Sequence, residues 1–155
     1  MTIRTVKNWF SKSWYFTVLA LLLFGCKSDS DKIISQEKYQ ELLSKSYMLK
    51  PDSLLTSQDI ALKIKVMDFC FNNLTISDNH QQLDVTREEL ESQGIPSFYY
   101  DILQYQVYET NTNIEKWIEE GTLDIDDLNL DSSFKQAKDL YFKQERPRLL
   151  LRIRE

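Results

Sequence analysis

The chain has 155 residues, the length of one ordinary domain, and its 42% hydrophobic content is too high for a disordered protein. Its 24 Asp and Glu outnumber its 19 Lys and Arg, which gives a formal net charge of −5. This acidic balance argues against nucleic-acid binding, because contacts with phosphates need a basic surface.

The first 25 residues have the three-part pattern of an export signal. Three basic residues, Arg4, Lys7 and Lys12, precede an uncharged apolar run over 14–24. A run of this length is typical of a signal peptide and is shorter than the roughly 20 residues of a membrane-spanning helix. We therefore predict a cleaved signal peptide over 1–25, with an uncleaved membrane anchor as the alternative.

The end of this segment resembles the lipobox of bacterial lipoproteins, which a lipoprotein signal peptidase cleaves just before a cysteine. Leu23, Phe24 and Gly25 occupy the recognition positions, and Cys26 follows them. Leu at −3 and Gly at −1 match the pattern, whereas Phe24 departs from the small residue that is usual at −2. The resemblance implies that Cys26 is lipidated and anchors the mature protein in the membrane.

The mature chain would begin with a tether. Residues 26–34 contain the lipidated Cys26 and a polar stretch, and we predict one domain over 35–155. An N-terminal segment of this kind, with acidic residues soon after the cysteine, resembles those of lipoproteins of the Bacteroidota. The resemblance implies a lipid-anchored location in the cell envelope, at the outer membrane, either on its periplasmic side or at the cell surface.

Two helices are predicted at the start of the domain. Apolar residues recur at helical spacing over 36–49, and Ser35 is a suitable N-cap. Thr56 or Ser57 is expected to cap the second helix, over 57–73. This helix is apolar around most of its circumference, so we expect it to be central. Its one mild or polar band consists of Ala61, Lys65, Asp68 and Asn72.

A loop and a short helix are predicted next. Residues 74–85 are rich in Asn, Asp, Ser and Gln and are expected to form a loop. Thr86 and Glu89 fit a capping box that begins a short helix. Gly94 fits the C-terminal cap of that helix.

The stretch Gly94–Asp101 (GIPSFYYD), followed by Thr110 and Asn111, resembles a pattern in small uncharacterised lipoproteins of the Bacteroidota. It covers only the part of the chain between 94 and 111. Those proteins have no assigned activity, so the resemblance bears on origin and localisation and implies no mechanism.

A long helix over 97–120, ended by Gly121, is predicted to organise the domain. Its broad apolar face contains Tyr99, Leu103, Val107, Thr110, Ile114, Trp117 and Ile118. Phe98, Ile102 and Tyr105 form a second stripe on roughly the opposite side. Either both stripes are core, or the second stripe is an exposed surface for a protein partner, since aromatic residues are enriched at interfaces.

The C-terminal part should contain one more helix. We predict a loop over 123–131 and a helix from Asp131 or Ser132 to about Arg146, where Pro147 interrupts it. The tail, 148–155, is compatible with either strand or helix. The predicted fold class is therefore all-α, a small irregular bundle of about four or five helices.

Few residues are candidates for chemistry. If Cys26 is acylated, Cys70 has no partner, and its apolar neighbours favour a buried free thiol over a catalytic thiolate, which would need a nearby base such as His80. The loop before the last helix has four acidic residues: Asp124, Asp126, Asp127 and Asp131. They lack the Gly and distal Glu of an EF-hand, so a helix-capping loop is preferred to a calcium site.

We therefore predict no catalytic residues, no metal and no cofactor. The favoured function is a non-catalytic envelope lipoprotein that serves as a protein-interaction or accessory subunit, held to the membrane through the lipid on Cys26. The alternative is an immunity-type lipoprotein that neutralises a toxin, and a small envelope enzyme ranks lowest.

Overall fold

A computed structural model of the protein describes residues 33–124 and 128–154. These residues form six α-helices and one two-stranded hairpin: α1 (Gln36–Lys45), α2 (Ser57–Asn73), β1 (Leu74–Ser77), β2 (His80–Leu83), α3 (Arg87–Ser92), α4 (Phe98–Glu119), α5 (Leu130–Leu140) and α6 (Arg146–Arg154). A π-helical turn, Tyr141–Glu145, joins α5 to α6, so the two form one continuous rod. The predicted bundle of about four or five helices is confirmed.

Local capping explains where several helices begin. The side chain of Ser35 accepts a hydrogen bond from the backbone N–H three residues later, as predicted. The predicted capping box is also present, because Glu89 N–H donates to Thr86 Oγ1 at 3.2 Å and Thr86 N–H donates to Glu89 Oε2 at 2.7 Å. A second capping box, between Thr56 and Asp59, begins α2.

The hairpin corrects the predicted loop over 74–85. Asp78 and Asn79 both have positive φ angles, 49° and 58°, and connect β1 to β2 as a two-residue turn. Such turns match the twist of paired strands, and Asp and Asn tolerate this conformation better than most residues. Leu74 pairs with Leu83, and both side chains are buried.

The prediction that Pro147 interrupts the last helix was wrong. The N–H of Arg146 donates to the carbonyl of Tyr141, five residues back, so the helix widens by one residue just before the proline. Pro147 therefore lies in the first turn of α6, where its missing N–H does little harm. The helical rod continues to Arg154.

The main core lies between α1, α2, the hairpin, α4 and α5. As expected, α2 is central, with Val66 fully buried on one side, while Ile60 and Ile64 on another side pack against Leu149 of α6. The polar band of α2 is left between these two packing faces. Within the described residues, no helix combines the length and apolar character needed to cross a membrane.

Candidate binding site

The residues predicted to direct export and lipidation are Leu23, Phe24, Gly25 and Cys26. All four lie outside the described residues. Lipidation of Cys26 therefore stays a prediction, and the candidate site described below belongs to the folded domain.

The second stripe of the long helix is not an exposed partner surface. Ile102 is fully buried and Tyr105 is 9% exposed, and both belong to the main core. Phe98 is half-buried and stacks on Tyr99 with ring centroids 4.5 Å apart. The chain covers the stripe itself, because α1 packs along α4 and places Tyr39 on the ring of Tyr105. The alternative in which both stripes are core is the correct one.

Cys70 and His80 do not form a nucleophile–base pair. Cys70 is a buried free thiol, as predicted, and burial raises its pKa to about 12. The ring nitrogens of His80 lie 2.8 Å from the Asp78 carbonyl oxygen and 3.0 Å from Glu115 Oε1. Neither nitrogen therefore faces the thiol, and Cys70 acts as a small core residue.

Two members of the acidic cluster, Asp126 and Asp127, lie outside the described residues. Asp131 forms an ion pair with Lys135 of α5, with 2.6 Å between Oδ2 and Nζ. Among residues 33–124 and 128–154, no three His, Cys, Asp or Glu side chains are grouped so as to hold a metal ion. Asn129, rather than Asp131 or Ser132, caps α5.

A cleft of about 500 Å³ opens between α2 and α3. It is lined mainly by polar side chains: Lys65, Asp68, Phe69, Asn72, Asn73, Glu89, Ser92 and Gln93. Three of them, Lys65, Asp68 and Asn72, belong to the polar band that the sequence shows on α2. The band is therefore open at this cleft, where the exposed side chains of Lys65 and Asn72 are available to a ligand.

The C-terminal rod fixes Asp68 beside this cleft. Arg146 Nε donates to Asp68 Oδ1 and Oδ2 at 2.9 and 3.0 Å, and the Tyr141 hydroxyl donates to Oδ1 at 2.9 Å. Burial raises the pKa of Tyr141, as does its hydrogen bond to Asp68, so the phenol keeps its proton. Both charges of the Asp68–Arg146 pair are thus satisfied within the fold.

The π-helical turn explains why Tyr141 and Arg146 reach the same carboxylate. In an α-helix, two residues five apart point about 140° away from each other. In a π-turn they lie one turn apart and therefore share a face. The inserted residue in the rod is thus what brings both donors to Asp68.

Gly94 lies close to the ammonium group of Lys65, which lines the cleft. Gly94 has φ of +69°, and a Cβ at this position would lie 2.8 Å from Lys65 Nζ. The glycine therefore serves the turn after α3, and a larger residue there would require the flexible end of Lys65 to shift.

A clamp between α3 and α4 holds the α3 wall of the cleft. Arg87 makes a bidentate ion pair with Asp101, with distances of 2.7 and 3.1 Å, and donates to the Ser97 carbonyl at 3.1 Å. Its guanidinium also lies 4.8 Å from the centre of the Tyr100 ring. The hydrogen bond to Asp101 raises the pKa of Arg87. Sequence reasoning missed this clamp.

The chemistry of the cleft suits binding. Asn72 and Gln93 carry amides that both donate and accept, and Lys65 adds a cation. The two carboxylates are already engaged, Asp68 by Arg146 and Tyr141 and Glu89 by the N–H of Thr86. General acid–base catalysis needs a carboxylate or base that is within reach of a reacting proton and free to exchange it. The hydrogen bonds of Asp68 and Glu89 leave these two carboxylates poorly suited to that role.

Comparison with known proteins identifies no relative. No family model matches the sequence, and no curated protein and no solved structure matches it.

Proposed function

We propose that this protein is a membrane-anchored envelope lipoprotein that acts as a non-catalytic protein-interaction or accessory subunit. The signal-like segment 1–25 and the lipobox-like residues before Cys26 support the anchor. The first helix begins at Gln36, so nine residues, 27–35, would separate the lipidated Cys26 from it.

The polar cleft between α2 and α3 is the observation that carries the interaction role. α2 is otherwise a core helix, yet Lys65, Asp68 and Asn72 form a polar line along it that opens into the cleft. Amides and a cation on the cleft wall can hydrogen-bond the backbone and side chains of an extended protein segment. We therefore propose that a polar segment of a partner protein binds here.

Site-specific photocross-linking in intact cells tests this role. A photoreactive amino acid at Asn72, in the cleft, should yield a discrete adduct with one protein, identified by mass spectrometry. The same probe at Gln40, an exposed residue of α1, is the control and should not yield that adduct. Lys65→Glu should abolish the Asn72 adduct while leaving the melting temperature unchanged. Identical adducts from both probe positions would contradict the proposed site.

The anchor is tested separately by labelling with a fatty acid. Inhibition of lipoprotein signal peptidase should leave a precursor larger by about the mass of residues 1–25. Cys26→Ser should not incorporate the label, because the thiol is the proposed attachment atom. Continued incorporation by this variant would refute the anchor.

The acidic charge of the middle of the chain supports a second candidate function, that of an immunity-type lipoprotein. Residues 74–124 contain 11 Asp and Glu against two Lys and Arg, a composition suited to a basic toxin. Under this hypothesis the cross-linked partner is a basic toxin, and cells that lack the protein become sensitive to it. A partner that is an ordinary envelope component favours the accessory role.

A further inference from the structure

The charges of this acidic protein are strongly segregated along the chain. Residues 74–124 are acidic, whereas 143–154 contain one Lys and four Arg against a single Glu. The basic stretch covers the end of the π-turn and all of α6. Lys143, Arg146 and Arg148 each form an ion pair with a carboxylate, so the excess positive charge of α6 comes mainly from Arg152 and Arg154. An excess of positive charge on an otherwise anionic domain points to an anionic partner.

The outer side of α6 carries this charge together with exposed leucine. Leu149 is fully buried against α2, which fixes the inner side of the helix. At 100° per residue, Leu151 lies about 160° from Leu149 and therefore points outward, and it is 61% exposed. Arg148 is also exposed and pairs with Glu145 across one turn, at 2.9 Å. Arg154, near the end of the helix, is exposed as well.

A neighbouring turn adds a second exposed leucine. Arg152 Nη2 donates to the carbonyl oxygen of Asp52 at 2.7 Å, which holds the 3-10 turn Asp52–Leu54 beside α6. Leu54 in this turn is 68% exposed. We define the basic face as the following residues: Leu54, Arg148, Leu151, Arg152 and Arg154.

We propose that the basic face contacts the anionic phospholipid surface of the bilayer that holds the lipid anchor, and this inference rests on the proposed function. Arginines around exposed leucines are the composition of helices that lie in a membrane interface, where the cations meet phosphates and the apolar side chains reach the acyl boundary. An acidic protein could pair its carboxylates with the arginines, but it would also need an apolar pocket for each exposed leucine.

The lipid anchor would keep the domain close to the bilayer. Nine residues, 27–35, separate Cys26 from α1 and would span at most about 30 Å if fully extended. An anchored domain stays at high effective concentration near the bilayer, so a weak contact is sufficient. The same anionic surface would repel the acidic segment 74–124, which favours one orientation of the domain.

Fluorescence from a probe on the basic face tests the inference. The acylated mature protein, purified from membranes, carries Leu151→Cys labelled with an environment-sensitive dye, since Cys70 is buried and Cys26 is blocked by its lipid. It is reconstituted into vesicles of phosphatidylcholine, with or without phosphatidylglycerol. We expect a blue shift only with the anionic lipid, and loss of the shift at high salt. Tyr108→Cys, on the acidic α4, should show no shift.

Charge variants and separate readouts make the outcomes distinct. Arg148→Gln with Arg154→Gln should abolish the shift, whereas Lys45→Gln with Lys135→Gln, which removes the same charge elsewhere, should not. Equal shifts in all vesicles, or a shift that depends on protein concentration without vesicles, would overturn the membrane contact. An acylated protein with an unresponsive probe refutes the basic face alone, and mass spectrometry of Cys26 judges the anchor independently.

Discussion

The ring of Tyr39 in α1 stacks on the ring of Tyr105 in α4, with centroids 4.2 Å apart and planes 21° apart. The Tyr39 hydroxyl accepts a hydrogen bond from Gln106 Nε2 at 3.1 Å. Burial raises the pKa of both tyrosines. This contact joins residues 66 positions apart in the sequence, and through it α1 covers the apolar stripe of α4.

The stack predicts that Tyr105→Ala destabilises the domain. The substitution removes a ring from the core, and we expect a loss of about 3 kcal/mol in the free energy of unfolding. Urea denaturation followed by circular dichroism measures it. Tyr108→Ala, on the same helix but 38% exposed, is the control and should cost less than about 1 kcal/mol. Equal costs for the two variants would mean that α1 does not cover Tyr105.

Asn111 is predicted to hold the hairpin on α4. Its side-chain oxygen accepts from Gln81 N–H and its amide donates to the Gln81 carbonyl, each at 3.0 Å, in a buried position. Asn111→Ala removes both hydrogen bonds and should cost about 2–3 kcal/mol. Hydrogen exchange at the β1 and β2 amides should accelerate before that of α2. The exposed Thr112→Ala is the control, and unchanged hairpin exchange in Asn111→Ala would contradict the prediction.

Substitutions at two glycines distinguish the cost of backbone strain from the cost of a clash with a neighbouring side chain. Gly94 and Gly121 have similar φ angles, +69° and +67°, but only at Gly94 does an added Cβ meet another group, the Lys65 ammonium. Gly121→Ala should cost about 1–2 kcal/mol from strain alone. Gly94→Ala should cost that amount and also displace Lys65, which thermal unfolding and partner cross-linking at Asn72 would measure. An intact cross-link in Gly94→Ala would mean that the added methyl group does not displace Lys65 from the cleft.

Asp59 predicts a pH-dependent part of the stability. The hydrogen bond from Lys50, followed by those from Thr56, lowers the pKa of Asp59 from 3.8 to about 2. Because the folded state favours the ionised carboxylate, this contribution is present above about pH 4 and is lost as the pH falls through about 2. The stability difference between the natural protein and Asp59→Asn should shrink over this range in urea titrations. A constant difference would mean that the ion pair and cap do not depend on the charge.

Local sequence signals predicted much of the fold because they act over a few residues. The capping box at Thr86 and Glu89 and the helix stops at Gly94 and Gly121 depend on side chains and φ angles within one turn. The periodicity of 57–73 likewise predicted a central helix, and its polar band marked the wall of the cleft. These features need no knowledge of distant contacts.

Tertiary structure alone decided the rest, because it depends on which surfaces meet. An isolated two-stranded hairpin is marginal, so the strands at 74–83 depend on packing against α4 and on Asn111, 30 residues from Gln81. Pro147 stays within a helical rod because the π-turn before it places the proline in a first helical turn. That turn brings Tyr141 and Arg146 to Asp68 of α2, a contact that only the packed structure shows. An apolar stripe shows that a surface must be covered, and only the packed chain shows that α1 covers it.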